Sequence, residues 1–199
     1  MKTALQIIRS FIAVIAILPF LASTVIAKPK SLIIQSIRYE GTGTPLGTVG
    51  QSISNDRTVF TLIFDTFIAS FGPNVSASES SKNTAVTLGL QGDPGGGHAN
   101  LAVTLRGYVQ LPDGATGTVT TRLRQGPSGQ IVPGSESTTT FDGPIAKDYL
   151  VHRDFDLNPS AWSSAGSEGA VVEVVIAVSG PDLFQGQLTV DSLDGKLTH

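Results

Sequence analysis

The sequence predicts an all-β chain, an antiparallel β-sandwich of jelly-roll or immunoglobulin-like type, on three observations. No segment keeps a sustained helical period. Stretches rich in β-branched and aromatic residues recur between Gly/Pro turns roughly every 10–20 residues. Two of these stretches, Thr58 to Ala69 and Ala170 to Val178, are apolar enough to read as buried strands.

Thr58 to Ala69 reads as one uninterrupted central strand. With the two-residue period of a strand, Phe60, Leu62 and Phe64 share one face and Val59, Ile63 and Phe67 the other, which predicts packed layers on both sides. Asp65 falls on the second face between Ile63 and Phe67. A carboxylate buried there needs hydrogen bonds or a cation, which makes Asp65 a candidate ligand-binding residue.

The remaining elements follow in order. Leu32 to Tyr39 forms a first strand, ended by the turn signal Gly41-Thr42-Gly43-Thr44-Pro45. Val49 to Ile53 is a second, and Ser54-Asn55-Asp56 turns the chain into the central run, which stops at Phe71-Gly72-Pro73. Asn74 to Asn83 is polar and reads as an exposed loop, with a glycan-acceptor pattern at Asn74-Val75-Ser76. A strand from Thr84 to Leu90, a flexible loop from Gly92 to His98 and a strand from Leu101 to Leu111 come next. Pro112-Asp113-Gly114 is a turn, because Pro presets one φ and Gly accepts a positive one. A hairpin has arms Thr116 to Arg124 and Glu136 to Phe141, joined by Gln125 to Gly134. Lys147 to Phe155 is a further strand, and Asn158-Pro159 opens an irregular segment around Trp162. Ala170 to Val178 is the second buried strand, Phe184 to Val190 closes the sheet, and Asp191 to Lys196 reads as a final turn.

The first 27 residues carry a different message. Lys2 and Arg9 precede an apolar block from Phe11 to Ile26, and Val25 and Ala27 supply small residues for cleavage. This is the pattern of a secretory signal peptide (1–27), leaving a single domain over 28–199. The block holds Pro19 and falls short of the ~20 residues a spanning helix needs, and no later stretch is apolar enough to cross a bilayer. The expected location is therefore extracellular or within the periplasm or cell envelope. Taking Lys2 and Arg9 from the 13 basic residues leaves 11 against 16 acidic, a formal charge near −5. That balance argues against nucleic acid and anionic membrane surfaces as partners. With no cysteine at all, the domain must be held by packing alone.

Several pieces, taken in order, carry a resemblance. They are Ser36 to Pro45, Phe60 to Pro73, Ser81-Lys82-Asn83-Thr84, Arg106 to Leu111, Trp162-Ser163 and Asp191 to Lys196. Together the chain resembles the secreted family known as domain of unknown function 4360, in a cysteine-less form. Family members typically carry Cys at the positions of Thr44, Thr84 and Ala165. The resemblance implies that Thr44 and Thr84 stand where a disulfide has been lost, with Cα atoms inside the ~7 Å a bridge can span. It brings no established activity, cofactor or catalytic residue.

Chemistry-bearing residues are scattered. His98 sits in the glycine loop, His152 lies on a strand beside Asp148 and Asp154, and no nucleophile elbow accompanies either. Asp65, Asp154, Asp156, Asp191 and Asp194 are the candidates for paired carboxylates of a glycosidase-like hydrolase. Asp191 and Asp194, ahead of Gly195, are candidate oxygen ligands for calcium, without EF-hand spacing and with a plain Asp-Gly turn as the alternative. The glycines from Gly92 to Gly97 lack the Gly-Lys-Ser/Thr ending of a phosphate cradle. Tyr108 and Trp162 are candidates for an aromatic platform under a sugar ring. The leading expectation is a secreted, non-enzymatic module that binds carbohydrate or cell-envelope material and needs no cofactor. A paired-carboxylate hydrolase and a calcium-stabilised adhesion module are the alternatives.

Overall fold

The computed structural model describes residues 32–92, 98–125, 129–157 and 169–198. In chain order the strands are β1 (Ile33–Glu40), β2 (Val49–Ile53), β3 (Val59–Phe64), β4 (Ile68–Phe71), β5 (Ser81–Gln91), β6 (Ala99–Leu111) and β7 (Thr116–Gln125). They continue with β8 (Gln130–Ile131), β9 (Ser137–Asp142), β10 (Ile145–Leu157), β11 (Ala170–Ser179), β12 (Gly186–Thr189) and β13 (Ser192–Thr198). Every pairing is antiparallel. The smaller sheet runs β1-β5-β11-β7, with β8 and β9 both on the far edge of β7. In the larger sheet β6 lies between β10 on one edge and β13 and β12 on the other; β13 then pairs β3, which pairs β2, and β12 pairs β4. The inward residues of both sheets form one core, with Leu62, Val103, Leu105 and Leu193 from the larger sheet and Val86, Leu88, Leu123, Val174 and Ile176 from the smaller all fully buried. This is the two-sheet sandwich that the alternation of strands and turns predicts.

The run from Thr58 to Ala69 departs from its expected form. It is two strands, β3 and β4, and the ladder shows why. Ile63 pairs with Ser192 and Ile68 with Thr189, so four residues on one side face two on the other. This bulge is closed by Phe64 N–H to the Asp191 carbonyl and Val190 N–H to the Phe67 carbonyl, both 2.9 Å. Across it the inward parity changes: Phe60, Leu62 and Phe64 point to the core before the bulge, Phe67, Ala69 and Phe71 after it. Phe64 and Phe67 therefore meet inside, rings 5.5 Å apart and edge-on. The expected second packed face does not exist, because Ile63 is 57% exposed and Asp65 lies in solvent at the bend.

Three other segments differ. Of Asp191 to Lys196, expected as a turn, all but Asp191 belongs to β13, an interior strand between β3 and β6. Gly195 pairs there with Phe60, whose ring lies over it where a Cβ would stand. The closing strand is limited to Gly186–Thr189, leaving Phe184 outside it and 54% exposed. Finally, the loop expected from Asn74 to Asn83 holds a 3-10 turn at Ala77–Glu79 and the start of β5. Trp162, Ala165 and the loop residues 93–97 lie outside the described residues.

The outer surface of the smaller sheet carries an ion-pair cluster. Glu173 on β11 takes the Arg122 guanidinium at one carboxylate oxygen, and Arg124 Nε lies 2.6 Å from the other. Burial works against the charge of Glu173, but hydrogen bonds from Arg122 and Arg124 outweigh it and hold the carboxyl below its usual range. A depressed carboxylate pKa adds stability that is complete above the unfolded value of about 4.5 and is lost as pH falls through the folded one. Glu173→Gln is therefore expected to lower stability at pH 7 by roughly 1–3 kcal/mol. In thermal melts the gap to wild type should narrow below about pH 4.

Candidate functional site

The outer face of the larger sheet is where strand geometry gathers the outward polar residues. Alternation along β6 sends Thr104, Arg106, Tyr108 and Gln110 outward while Val103, Leu105 and Val109 enter the core. The ladder then lines up partners on neighbouring strands. One row reads Ile63, Ser192, Arg106, Leu150 across β3, β13, β6 and β10, and the next reads Thr61, Asp194, Thr104, His152.

Side-chain bonds fix most of this array. Thr61 Oγ1 donates to Asp194 at 2.7 Å, and Arg106 Nε stands 3.6 Å from the other oxygen of Asp194. Thr104 Oγ1 lies 3.0 Å from His152 Nδ1, and His152 Nε2 lies 3.3 Å from Asp154. Ile63 and Leu150, both 57% exposed, flank Arg106 with apolar surface. Beside them Arg106, Gly107, Asp148, Leu150 and Asp191 line a shallow depression of about 420 Å³. Hydrogen-bonding groups held in place on rigid strands, next to exposed apolar side chains, can take a polar ligand without ordering a loop.

A second device sets the shape of this region. Opposite Gly107, Tyr149 on β10 turns inward against Phe141 and sends its hydroxyl to the Thr189 carbonyl. A Cβ on Gly107 would stand 2.0 Å from that carbonyl oxygen, so only glycine fits under the crossing. Burial, with the Asp191 charge adding to it, holds the Tyr149 phenol far above its usual range, and it stays a neutral donor. Thr189 Oγ1 in turn accepts from Tyr108 N–H at 3.0 Å and donates to Asp191 at 2.8 Å.

The structure thus brings three of the sequence candidates, Tyr108, Asp191 and Asp194, around Arg106 and Thr189. Asp65 is not among them: it is exposed at the bend, and its N–H donates to the Thr48 carbonyl at 3.0 Å. Asp154 stays with His152 at the β10 edge. Arg106, Thr61, Leu150 and Thr189 were not singled out from sequence. Alternation around Arg106-Gly107-Tyr108 was a usable signal for Arg106. Its pairing with Asp194 was concealed by reading the last strand as a turn.

Thr44 and Thr84 are also brought together, in a separate place. Both are buried and their hydroxyl oxygens are 3.1 Å apart. The contact is part of a lock between the Gly41–Pro45 turn and β5. Thr42 Oγ1 donates to Asn83 Oδ1 at 2.8 Å, Asn83 N–H returns to Thr42 Oγ1 at 3.1 Å, and Gly43 N–H reaches the Asn83 carbonyl at 2.8 Å. A Cβ on Gly41 would meet that carbonyl at 2.3 Å, and one on Gly43 would enter the Phe67 ring, so both glycines are set by close approach.

Fold and face together define an antiparallel β-sandwich that offers the outer side of its larger sheet to solvent. The chain belongs to the family described as Domain of unknown function (DUF4360), whose model matches residues 30–199. It is 36% identical over 168 residues to an uncharacterized secreted protein of Arthroderma benhamiae, spanning 83% of this chain and 67% of that protein. Among solved structures, one of the infectious bursal disease virus Gx strain matches at 13% identity and a TM-score of 0.34, over 83% of this chain and 33% of that one. TmCBM61 in complex with β-1,4-galactotriose matches at 10% identity and a TM-score of 0.26, over 84% of this chain and 90% of that one. No helix of the described residues is long and apolar enough to cross a membrane.

Proposed function

We propose that the protein is exported and works as a binding module for cell-envelope carbohydrate, using the outer face of the larger sheet. The leader pattern at 1–27 and the secreted relative support export. The observation that carries the binding role is the bonded array Thr61, Asp194 and Arg106, set between exposed Ile63 and Leu150. Such a face combines fixed donors and acceptors for hydroxyls with apolar surface for the C–H side of a sugar. The net acidic charge favours neutral polymers over polyanions.

Adsorption of the purified protein to insoluble chitin, cellulose, β-1,3-glucan and peptidoglycan tests this. Retention on at least one polymer is expected, and an Arg106→Ala, Leu150→Ala double variant should retain at least tenfold less. Failure to adsorb to any of the four, with no soluble oligosaccharide bound either, would end the carbohydrate reading.

A further inference from the structure

Beyond the bulge the same sheet face has a different chemistry. Ser70, Gln187, Gln110 and Ala146 form a row across β4, β12, β6 and β10. Gln185 joins them from the chain just before β12, its stem lying where a Cβ on Gly72 would be, at 2.6 Å. Ser70, Phe71, Val75, Gln110, Gln185 and Gln187 line a cleft of about 280 Å³. A second depression of about 420 Å³ adjoins it, lined by Leu111, Pro112, Pro144, Ile145 and Ala146 and sharing Gln110 and Gln185.

Two features set this cleft apart from the array around Arg106. No ionisable side chain lines either depression. The carboxamides of Gln110, Gln185 and Gln187 also make no side-chain hydrogen bond to another described residue, whereas Thr61, Asp194, Thr104 and His152 are bonded to one another. Each free carboxamide offers two donors and two acceptor lone pairs, a match for adjacent hydroxyls that both give and accept. Gln110 and Gln187 sit on interior strands and are paired on both sides, with each other and with Ala146 and Ser70. A ligand that reaches them therefore bonds their side chains and does not extend the ladder. Val75 supplies apolar surface to the lining, and Phe184, next to Gln185 in the chain, is 54% exposed.

We infer that Gln110, Gln185 and Gln187 form a recognition site for a short run of neutral sugar residues. At about 280 and 420 Å³, each depression lies near the lower end of the ~300–1,000 Å³ of ligand sites, enough for a few rings rather than an extended crystalline surface. The inference rests on the carbohydrate-binding reading above and places its specificity in the glutamine cleft instead of around Arg106.

The test titrates soluble neutral oligosaccharides into the ¹⁵N-labelled secreted protein. The probes are hexamers of β-1,4-glucose, β-1,3-glucose, β-1,4-N-acetylglucosamine, β-1,4-galactose and β-1,4-mannose. At least one is expected to shift the side-chain amide signals of Gln110, Gln185 and Gln187. Gln110→Ala and Gln187→Ala should each weaken that binding tenfold or more with an unchanged melting temperature. Saturable shifts confined to the surroundings of Arg106 and Leu150 would overturn the glutamine site while leaving the binding function standing. So would adsorption to a polymer with no oligosaccharide bound. Shifts at the three glutamines with an uncharged Gly/Ser/Asn peptide and with none of the sugars would overturn the carbohydrate assignment. If neither polymer nor oligosaccharide binds, both readings fall.

Discussion

A chain carrying Thr44→Cys and Thr84→Cys is expected to form a disulfide on air oxidation and to melt well above wild type. The two hydroxyls are already 3.1 Å apart in a buried contact, so the side chains point at each other without backbone rearrangement. The bridge would close a loop of about 40 residues, for which loop entropy gives a stabilisation of roughly 4 kcal/mol. For a domain of this size that corresponds to about 8–16 °C in melting temperature. Thiol titration should find no free sulfhydryl, and reductant should remove the gain. Two free thiols after oxidation would show that the turn at Gly41–Pro45 does not dock on β5 in this way.

Gly195→Val is expected to be strongly destabilising. In the interior strand β13 a Cβ at Gly195 would stand 2.0 Å from the ring of Phe60, which is itself fully buried and hemmed in. Overpacking of this kind costs about 3 kcal/mol, or about 6–12 °C. Phe60→Leu removes the ring that creates the clash. The double variant should therefore be more stable than the sum of the two single effects by about 1 kcal/mol or more, within the coupling of about 0.5–3 kcal/mol seen between contacting residues. Urea unfolding of the four chains measures this. A cost for Gly195→Val below about 0.5 kcal/mol, as at an exposed surface site, would contradict the strand.

Particular residues show where sequence sufficed and where it did not. Alternation in Leu101 to Leu111 and in Ala170 to Val178 was enough to place β6 and β11, because an unbroken strand inside one sheet obeys a two-residue period. The same rule misplaced Phe67 and Asp65. The bulge after Phe64 has no local marker, and it exists only because β12 and β13 lie opposite with fewer residues. Asp194-Gly195 is equally silent: locally it resembles a turn, and what makes it strand is pairing with both β3 and β6. Gln110, Gln185 and Gln187 come from three separate stretches and meet only through the order of strands in the sheet.

By itself, then, the sequence determined the β-sandwich class, most of the strands, the pattern of an export leader and the company of Thr44 with Thr84 through family resemblance. These depend on local periodicity, turn chemistry and short motifs. The tertiary structure alone decided which face of the larger sheet meets solvent and which side chains share it. Register between strands distant in sequence is a property of the assembled core, and one bulge is enough to move every residue beyond it to the other side.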